Sequence, residues 1–278
     1  MSTVQSLYDF LQYRRDIQVG SDDLIHIVNA AIRTISKRLY FLGSDLITDK
    51  MEVSLYAEVS YTADTIAFVD SSPDTITDSA LQFVAEGFVS GMHITTDEAS
   101  NPGPFEISTA VAGTLTLVTA DSVTDSAEGS DVTITSVDDY GDLPSDFWGL
   151  KDKPYIDGKT WSLNPSPGVA AELTYTSAGE PRYYKIRGQK IYVIPAASTD
   201  STIKADYYKK PTALTADTDT LPFNEMFDDL ISEYVIQYFR GEQTAADLTL
   251  LLHNGVDLLA AQYDRRAPAD FPPGIVYF

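Results

Sequence analysis

Between Lys50 and Lys151 the chain has no Lys or Arg, while the same stretch, 51–150, holds 18 Asp and Glu. The full chain of 278 residues carries 41 acids and 19 bases, so everything outside the stretch keeps 23 acids against all 19 bases and is nearly balanced. A change of charge this abrupt marks a domain boundary or an insertion. It also bounds function. At a net charge of −22, autonomous binding to nucleic acid is not expected, because phosphates are contacted mainly by Lys and Arg. Attraction to anionic membranes is disfavoured for the same reason.

The acidic stretch has its own texture. Short alternating runs stand at Thr65-Ile66-Ala67-Phe68-Val69, Gly91-Met92-His93-Ile94-Thr95, Phe105-Glu106-Ile107-Ser108, Thr114-Leu115-Thr116-Leu117-Val118 and Val132-Thr133-Ile134-Thr135. Each is rich in β-branched or aromatic residues with period two, the signature of a half-buried strand. Asn101-Pro102-Gly103-Pro104 and Ala112-Gly113 read as turns between them. This spacing predicts a small antiparallel barrel or sandwich over 60–137.

The flanks read differently. Over 1–50, Ser21 is the expected N-cap of a helix, with Asp22 and Asp23 in the first turn, where the helix dipole favours acids. Leu24, Val28, Ile32, Ile35 and Leu39 form one apolar stripe, and Gly43 is the expected stop. A shorter helix is expected over 4–15, through Leu7, Phe10 and Leu11. Over 143–222, the runs Arg182–Ile186, Gln189–Ile194 and Ile203–Tyr208 predict an antiparallel meander, with Gly188 at its first turn. Over 223–264, two helices are expected, Asn224–Arg240 and Thr244–Tyr263, joined at Gly241 into an antiparallel hairpin. The last segment, 265–278, is expected as an extended tail, because Ala267–Phe278 is too rich in proline to be a helix.

Catalytic chemistry finds little support. The chain has no cysteine, which removes disulfides, thiolate metal sites and thiol nucleophiles. His26, His93 and His253 share no metal-ligand spacing and are read as structural or solvated. No phosphate-binding glycine loop or nucleophile elbow is present. The pairs Asp97-Glu98, Asp138-Asp139 and Asp228-Asp229 are read as solvated acids, as such pairs usually are in an acidic chain. The expectation is a non-enzyme with no cofactor and no metal. No secretory signal or apolar run long enough to span a membrane is evident, so a soluble protein is expected.

Aromatic residues are plentiful. Tyr183, Tyr184, Tyr192, Tyr207 and Tyr208 suit a sugar-binding platform, sheet–helix packing or a subunit interface. The terminal peptide is the stronger interaction candidate. Pro268, Pro272 and Pro273 lower the entropy lost on ordering an extended segment. Phe271, Ile275, Val276, Tyr277 and Phe278 supply apolar anchors, and Arg265 and Arg266 can pair with acids on a neighbour.

Three passages together resemble the head-to-tail adaptor (connector) proteins of tailed bacteriophages, particularly short-tailed ones. They are the helix from Leu24 to Leu42, the passage from Gly179-Glu180-Pro181-Arg182-Tyr183-Tyr184 to Tyr207-Tyr208-Lys209-Lys210-Pro211, and Leu221-Pro222-Phe223-Asn224-Glu225-Met226-Phe227-Asp228-Asp229-Leu230. Their order carries the likeness. The acidic stretch, through Gly87-Phe88-Val89-Ser90-Gly91-Met92-His93-Ile94 and the strands after it, resembles a β module found inside phage tail and adaptor proteins.

The resemblance implies an α+β protein. A helical ring-forming core would combine the N-terminal helix with the C-terminal hairpin, and carry the β meander and the inserted barrel or sandwich. It implies a structural virion protein at the head–tail junction, assembled in the host cytoplasm. A homo-oligomeric ring, commonly twelve-fold, would join the portal protein to the tail nozzle or fibres. Genome DNA would pass through it at ejection without specific binding. The tail 265–278 would bind the portal or a neighbouring subunit. The acidic module would face either the channel, repelling DNA, or the outside. The alternatives are a carbohydrate-binding or depolymerising tail protein and a capsid-decoration or host-surface binding protein.

Overall fold

The structure is a computed structural model that describes residues 3–15, 20–137, 139–168, 175, 177–223, 227–241 and 243–266. The chain opens on α1 (Val4–Arg15) and α2 (Ser21–Leu42), and a 3-10 turn, Asp45–Ile47, leads into β1 (Thr48–Leu55). There follow β2 (Ser60–Ala63), β3 (Ile66–Val69), β4 (Thr75–Asp78), one helical turn α3 (Phe83–Glu86), β5 (His93–Thr96), β6 (Phe105–Val111), β7 (Thr114–Leu117) and β8 (Val132–Ser136). Next come β9 (Tyr140–Asp142), β10 (Phe147–Leu150), β11 (Tyr155–Ile156), β12 (Asn164–Pro165), β13 (Tyr183–Arg187), β14 (Lys190–Ile194) and β15 (Ser201–Lys209). The helices α4 (Asp228–Arg240) and α5 (Ala245–Arg266) follow. The chain forms two compact units. One is Met1–Lys50 with Asp146–Asp152 and Asp206–Phe278, and the other is Met51–Ser145 with Lys153–Ala205.

The first unit is built on α2. Leu24, Val28, Ile32, Ile35 and Leu39 are at most 1% exposed, so the stripe read from the sequence is the buried face. It packs with Leu7 and Leu11 of α1, Phe227, Ile231 and Val235 at α4, and Leu252, Val256 and Ala260 of α5. Gly20, rather than Ser21, is the N-cap, and its carbonyl accepts from the Leu24 N–H. Gly43 ends α2 in the left-handed conformation (φ 68°), where its N–H reaches the Tyr40 carbonyl. Arg38 of α2 grips Asp257 of α5 through two bonds, Nε to Oδ1 at 2.7 Å and Nη2 to Oδ2 at 2.6 Å. Gly255 lies inside α5, where glycine is otherwise costly. A Cβ there would come 2.4 Å from Leu230 of α4, so the missing side chain lets the two helices close.

Two segments return to α2 from elsewhere in the chain. β10 pairs antiparallel with the end of β15, Phe147 against Lys209 and Leu150 against Tyr207. The Tyr40 ring stacks on Trp148 at 4.9 Å and meets Tyr208 edge-on at 4.9 Å. Phe147 stacks on Tyr207, whose hydroxyl donates to Asp146 at 2.8 Å.

The second unit contains most of the acidic stretch, from Met51 to Ser145. Its seven strands run in the order β2-β8-β5-β6-β7-β4-β3, an antiparallel sheet left open between β2 and β3 among the described residues. Of the barrel or sandwich expected from the sequence, a closed barrel is therefore not formed among the described residues. Alternate residues point inward, and Phe68, Ile76, Phe83, Phe88, Ile94, Ile107, Leu115 and Ile134 are all at most 2% exposed. A second sheet in this unit runs β12-β13-β14-β9.

The hairpin of β13 and β14 turns at Gly188 (φ 60°), as expected. The third strand of the expected meander is corrected: β14 takes β9 as its other neighbour, and β15 pairs with β10 and β11 instead. Strand partners are chosen by distant packing, which a local pattern does not carry.

Replacing Ile32 by Ala removes a side chain from the centre of the first unit. The expected cost is about 2–5 kcal/mol. Denaturant unfolding followed by Trp148 fluorescence in a Trp161→Phe background measures it.

Candidate functional site

The carboxylates of the acidic stretch divide by what they touch. With no Lys or Arg in that stretch, Lys204 reaches in to Glu52 at 3.1 Å, and several other carboxylates accept from backbone N–H groups and hydroxyls. Buried Asp74 accepts from the N–H of Ser71 (2.9 Å) and of Val123 (2.7 Å). Asp121 accepts from the N–H of Glu106 at 2.6 Å, and Asp125 from that of Asp70 at 2.7 Å.

Asp78, fully buried at the end of β4, takes four bonds. They come from the Thr65 hydroxyl (2.6 Å), the N–H of Gln82 (2.8 Å), the N–H of Ala80 (3.0 Å) and the Tyr61 hydroxyl (3.2 Å). Burial pushes the Asp78 carboxyl up, but these donors outweigh it and hold it below the usual carboxylate value. Asp97 is also lowered, first by the Thr133 N–H at 2.7 Å. So Asp97-Glu98 is part of a loop brace. Asp138 lies outside the described residues. Glu58, Asp64, Glu86 and Asp131 stand exposed.

Tyr183, Tyr184 and Tyr192 lie in the second unit, whereas Tyr207 and Tyr208 belong to the first. Tyr207 is 4% exposed, and its hydroxyl is held above the usual value, by burial first and then by its bond to Asp146.

The histidines separate as well. His26 is on α2 and His253 on α5. His93 has company that the sequence reading missed. It sits on β5 directly opposite Glu106 of β6, and its Nε2 bonds to Oδ2 of Asp142 at the end of β9. One donor atom from each of His93, Glu106 and Asp142 lies within 4.8 Å of the others. The His93 ring is 5.0 Å from Tyr140, over whose ring Lys190 Nζ sits at 3.7 Å. The three residues line a pocket of about 190 Å³ with Glu52, Tyr56 and Tyr140. The His93 side chain is 12% exposed and that of Asp142 45%. A signal existed: the β5–β6 hairpin pairs residues whose numbers sum to 199, as Ile94 with Phe105 does. Only the correct turn centre reveals it.

The terminal peptide is the remaining candidate. α5 continues through Arg265 and Arg266, further than the expected stop at Tyr263. No strong helix breaker precedes Pro268, which disfavours helix at the residue before it. Pro268, Phe271, Pro272, Pro273, Ile275, Val276, Tyr277 and Phe278 lie outside the described residues.

The profile of a family described as SU10 adaptor protein matches residues 9–270, a span that takes in both units. No curated protein matches the chain. Among the described residues, no helix is long and apolar enough to cross a membrane.

The Asp78 brace gives an acid-dependent stability. Its carboxyl is lowered in the folded state, so its contribution is present above the unfolded value near 4 and fades as pH falls through the folded value. Asp78→Asn, which leaves one acceptor oxygen and turns an NH2 group toward two of the four donors, is expected to cost about 1–3 kcal/mol at pH 7. The variant should also show a shallower loss of stability below about pH 4. Denaturation followed by Trp161 fluorescence in a Trp148→Phe background, at several pH values, measures both.

Proposed function

The chain belongs to the SU10 adaptor protein family, structural adaptors of the phage head–tail junction, and on that premise we propose that it closes into a ring between portal and tail. The observation that carries the reading is the family match over 9–270. The ring is twelve-fold, is built by the helical unit and continues the DNA channel of a short-tailed phage. Its far face receives the tail nozzle or fibres.

Physical features support this. A ring repeats one head-to-tail contact until it closes, so each subunit needs outward apolar surface. On the helical unit, Leu250 and Leu258 of α5 are 58% and 62% exposed, and Phe41 at the end of α2 is 80% exposed. Leu250, Asn254 and Leu258 form a stripe opposite the buried Leu248, Leu252 and Val256. The segment 265–278 then binds the portal or a neighbouring subunit. Each fully buried anchor among Phe271, Ile275, Val276, Tyr277 and Phe278 contributes about 1.5–3 kcal/mol. Repetition around the ring turns a modest contact into firm attachment. A net charge of −22 suits a wall past which DNA must move without sticking.

Mixing the purified chain with its cognate portal, followed by size-exclusion chromatography and negative-stain microscopy, tests the reading. The full chain is expected to give a ring on the portal. A chain ending at Arg266 is expected to lose association at least tenfold. Leu250→Asp with Leu258→Asp should leave the subunit folded but prevent ring closure. A full chain that stays monomeric beside the portal contradicts the proposal.

A further inference from the structure

We propose that His93, Glu106 and Asp142 form a binding site for one divalent transition-metal cation of the Zn²⁺ type. The site is independent of the adaptor reading. Its donors are one imidazole nitrogen and two carboxylate oxygens, all within 4.8 Å of one another. Metal bonds of about 2.0–2.2 Å place ligand atoms roughly 3–4 Å apart, so small side-chain movements gather the three around one ion. A neutral imidazole and two carboxylates balance a 2+ charge. The ion takes the place of the hydrogen bond between His93 Nε2 and Asp142 Oδ2.

The backbone holds the three in place. His93 and Glu106 are directly paired across β5 and β6, so their side chains share a face of the sheet. Asp142 ends β9, which is fixed to β14 by the Tyr140↔Tyr192 and Asp142↔Lys190 registers. Lys190 Nζ stands 4.0 Å from Oδ1 of Asp142, leaving Oδ2 aimed at His93. It acts as an outer-shell group that orients the ligand. The pocket beside the cluster leaves room for water at the open coordination positions.

The donor set selects the class of ion. An imidazole nitrogen suits Zn²⁺ and its neighbours, whereas Mg²⁺ and Ca²⁺ take oxygen ligands. The acids Glu52, Glu106 and Asp142 line the same pocket and outnumber the ammonium groups of Lys190, 4.0 Å from Asp142, and Lys204, 3.1 Å from Glu52. Bound there, the ion ties the seven-stranded sheet to the four-stranded sheet of the same unit, because β5 and β6 belong to one and β9 to the other. A cation that binds only the folded state raises its stability.

The test uses the full chain, stripped with a chelator and dialysed against Zn²⁺, with bound metal counted by emission spectroscopy. One Zn²⁺ per chain is expected, with a rise in melting temperature that a tenfold excess of Mg²⁺ does not reproduce. His93→Gln, Glu106→Gln and Asp142→Asn should each weaken binding at least tenfold. Asp131→Asn, which changes an exposed acid outside the cluster, should not. Circular dichroism checks that each variant is folded, and if His93→Gln is not, Glu106→Gln decides. Loss of the visible Co²⁺ absorption spectrum in Glu106→Gln is the expected second signature. Absence of stoichiometric Zn²⁺, undiminished binding in Glu106→Gln, or equal loss in Asp131→Asn overturns the proposal.

Discussion

Three separated pieces of chain meet at the end of α2 in the helical unit. Tyr40 is the meeting point. Its ring receives Trp148 from the returning segment 146–152 and Tyr208 from β15, each at 4.9 Å. Close by, Tyr207 and Phe147 stack, and the Tyr207 hydroxyl bonds to Asp146. Gly149 is fitted to the same clasp, since a Cβ there would come 3.0 Å from the Tyr40 hydroxyl. Aromatic pairs of this kind add about 0.5–1.5 kcal/mol beyond the area they bury. They also fix where the chain leaves for the second unit and where it comes back. The α4–α5 hairpin can then lie on α2, locked by Arg38 and Asp257 and by the close approach at Gly255.

The second unit solves a different problem. It must hold loops between short strands in a stretch that has no Lys or Arg. Backbone N–H groups and hydroxyls serve instead. Asp74, Asp78, Asp97, Asp121 and Asp125 each brace a turn or a neighbouring strand. Asp74 and Asp78 are buried, whereas Asp97 and Asp125 brace their loops while remaining exposed. The surface charge therefore keeps Asp97 and Asp125 beside Glu58, Asp64, Glu86 and Asp131.

What the sequence revealed depended on the range of the interaction. The buried stripe of α2 and the stop at Gly43 are encoded within a few residues, and both read correctly. So did the alternating strands and the Gly188 turn. The alternation in 60–137 predicted strands but not how they close, and the sheet stays open between β2 and β3. The exchange of β15 for β9 beside β14 is set by residues about fifty positions apart. The cluster of His93, Glu106 and Asp142 was hidden for the same reason, since hairpin register and a second sheet bring it together. The adaptor likeness was legible from the order of whole passages, and the family match spans the same ground.

The central claim is that this chain is a ring-forming adaptor where head meets tail. A cryo-electron microscopy reconstruction of the phage particle, focused on that junction, tests it most directly. The account predicts cyclic density beneath the portal into which the α2–α4–α5 unit fits, with an extended C-terminal segment leading away from α5. Density for this chain elsewhere in the particle, or none at the junction, would contradict it.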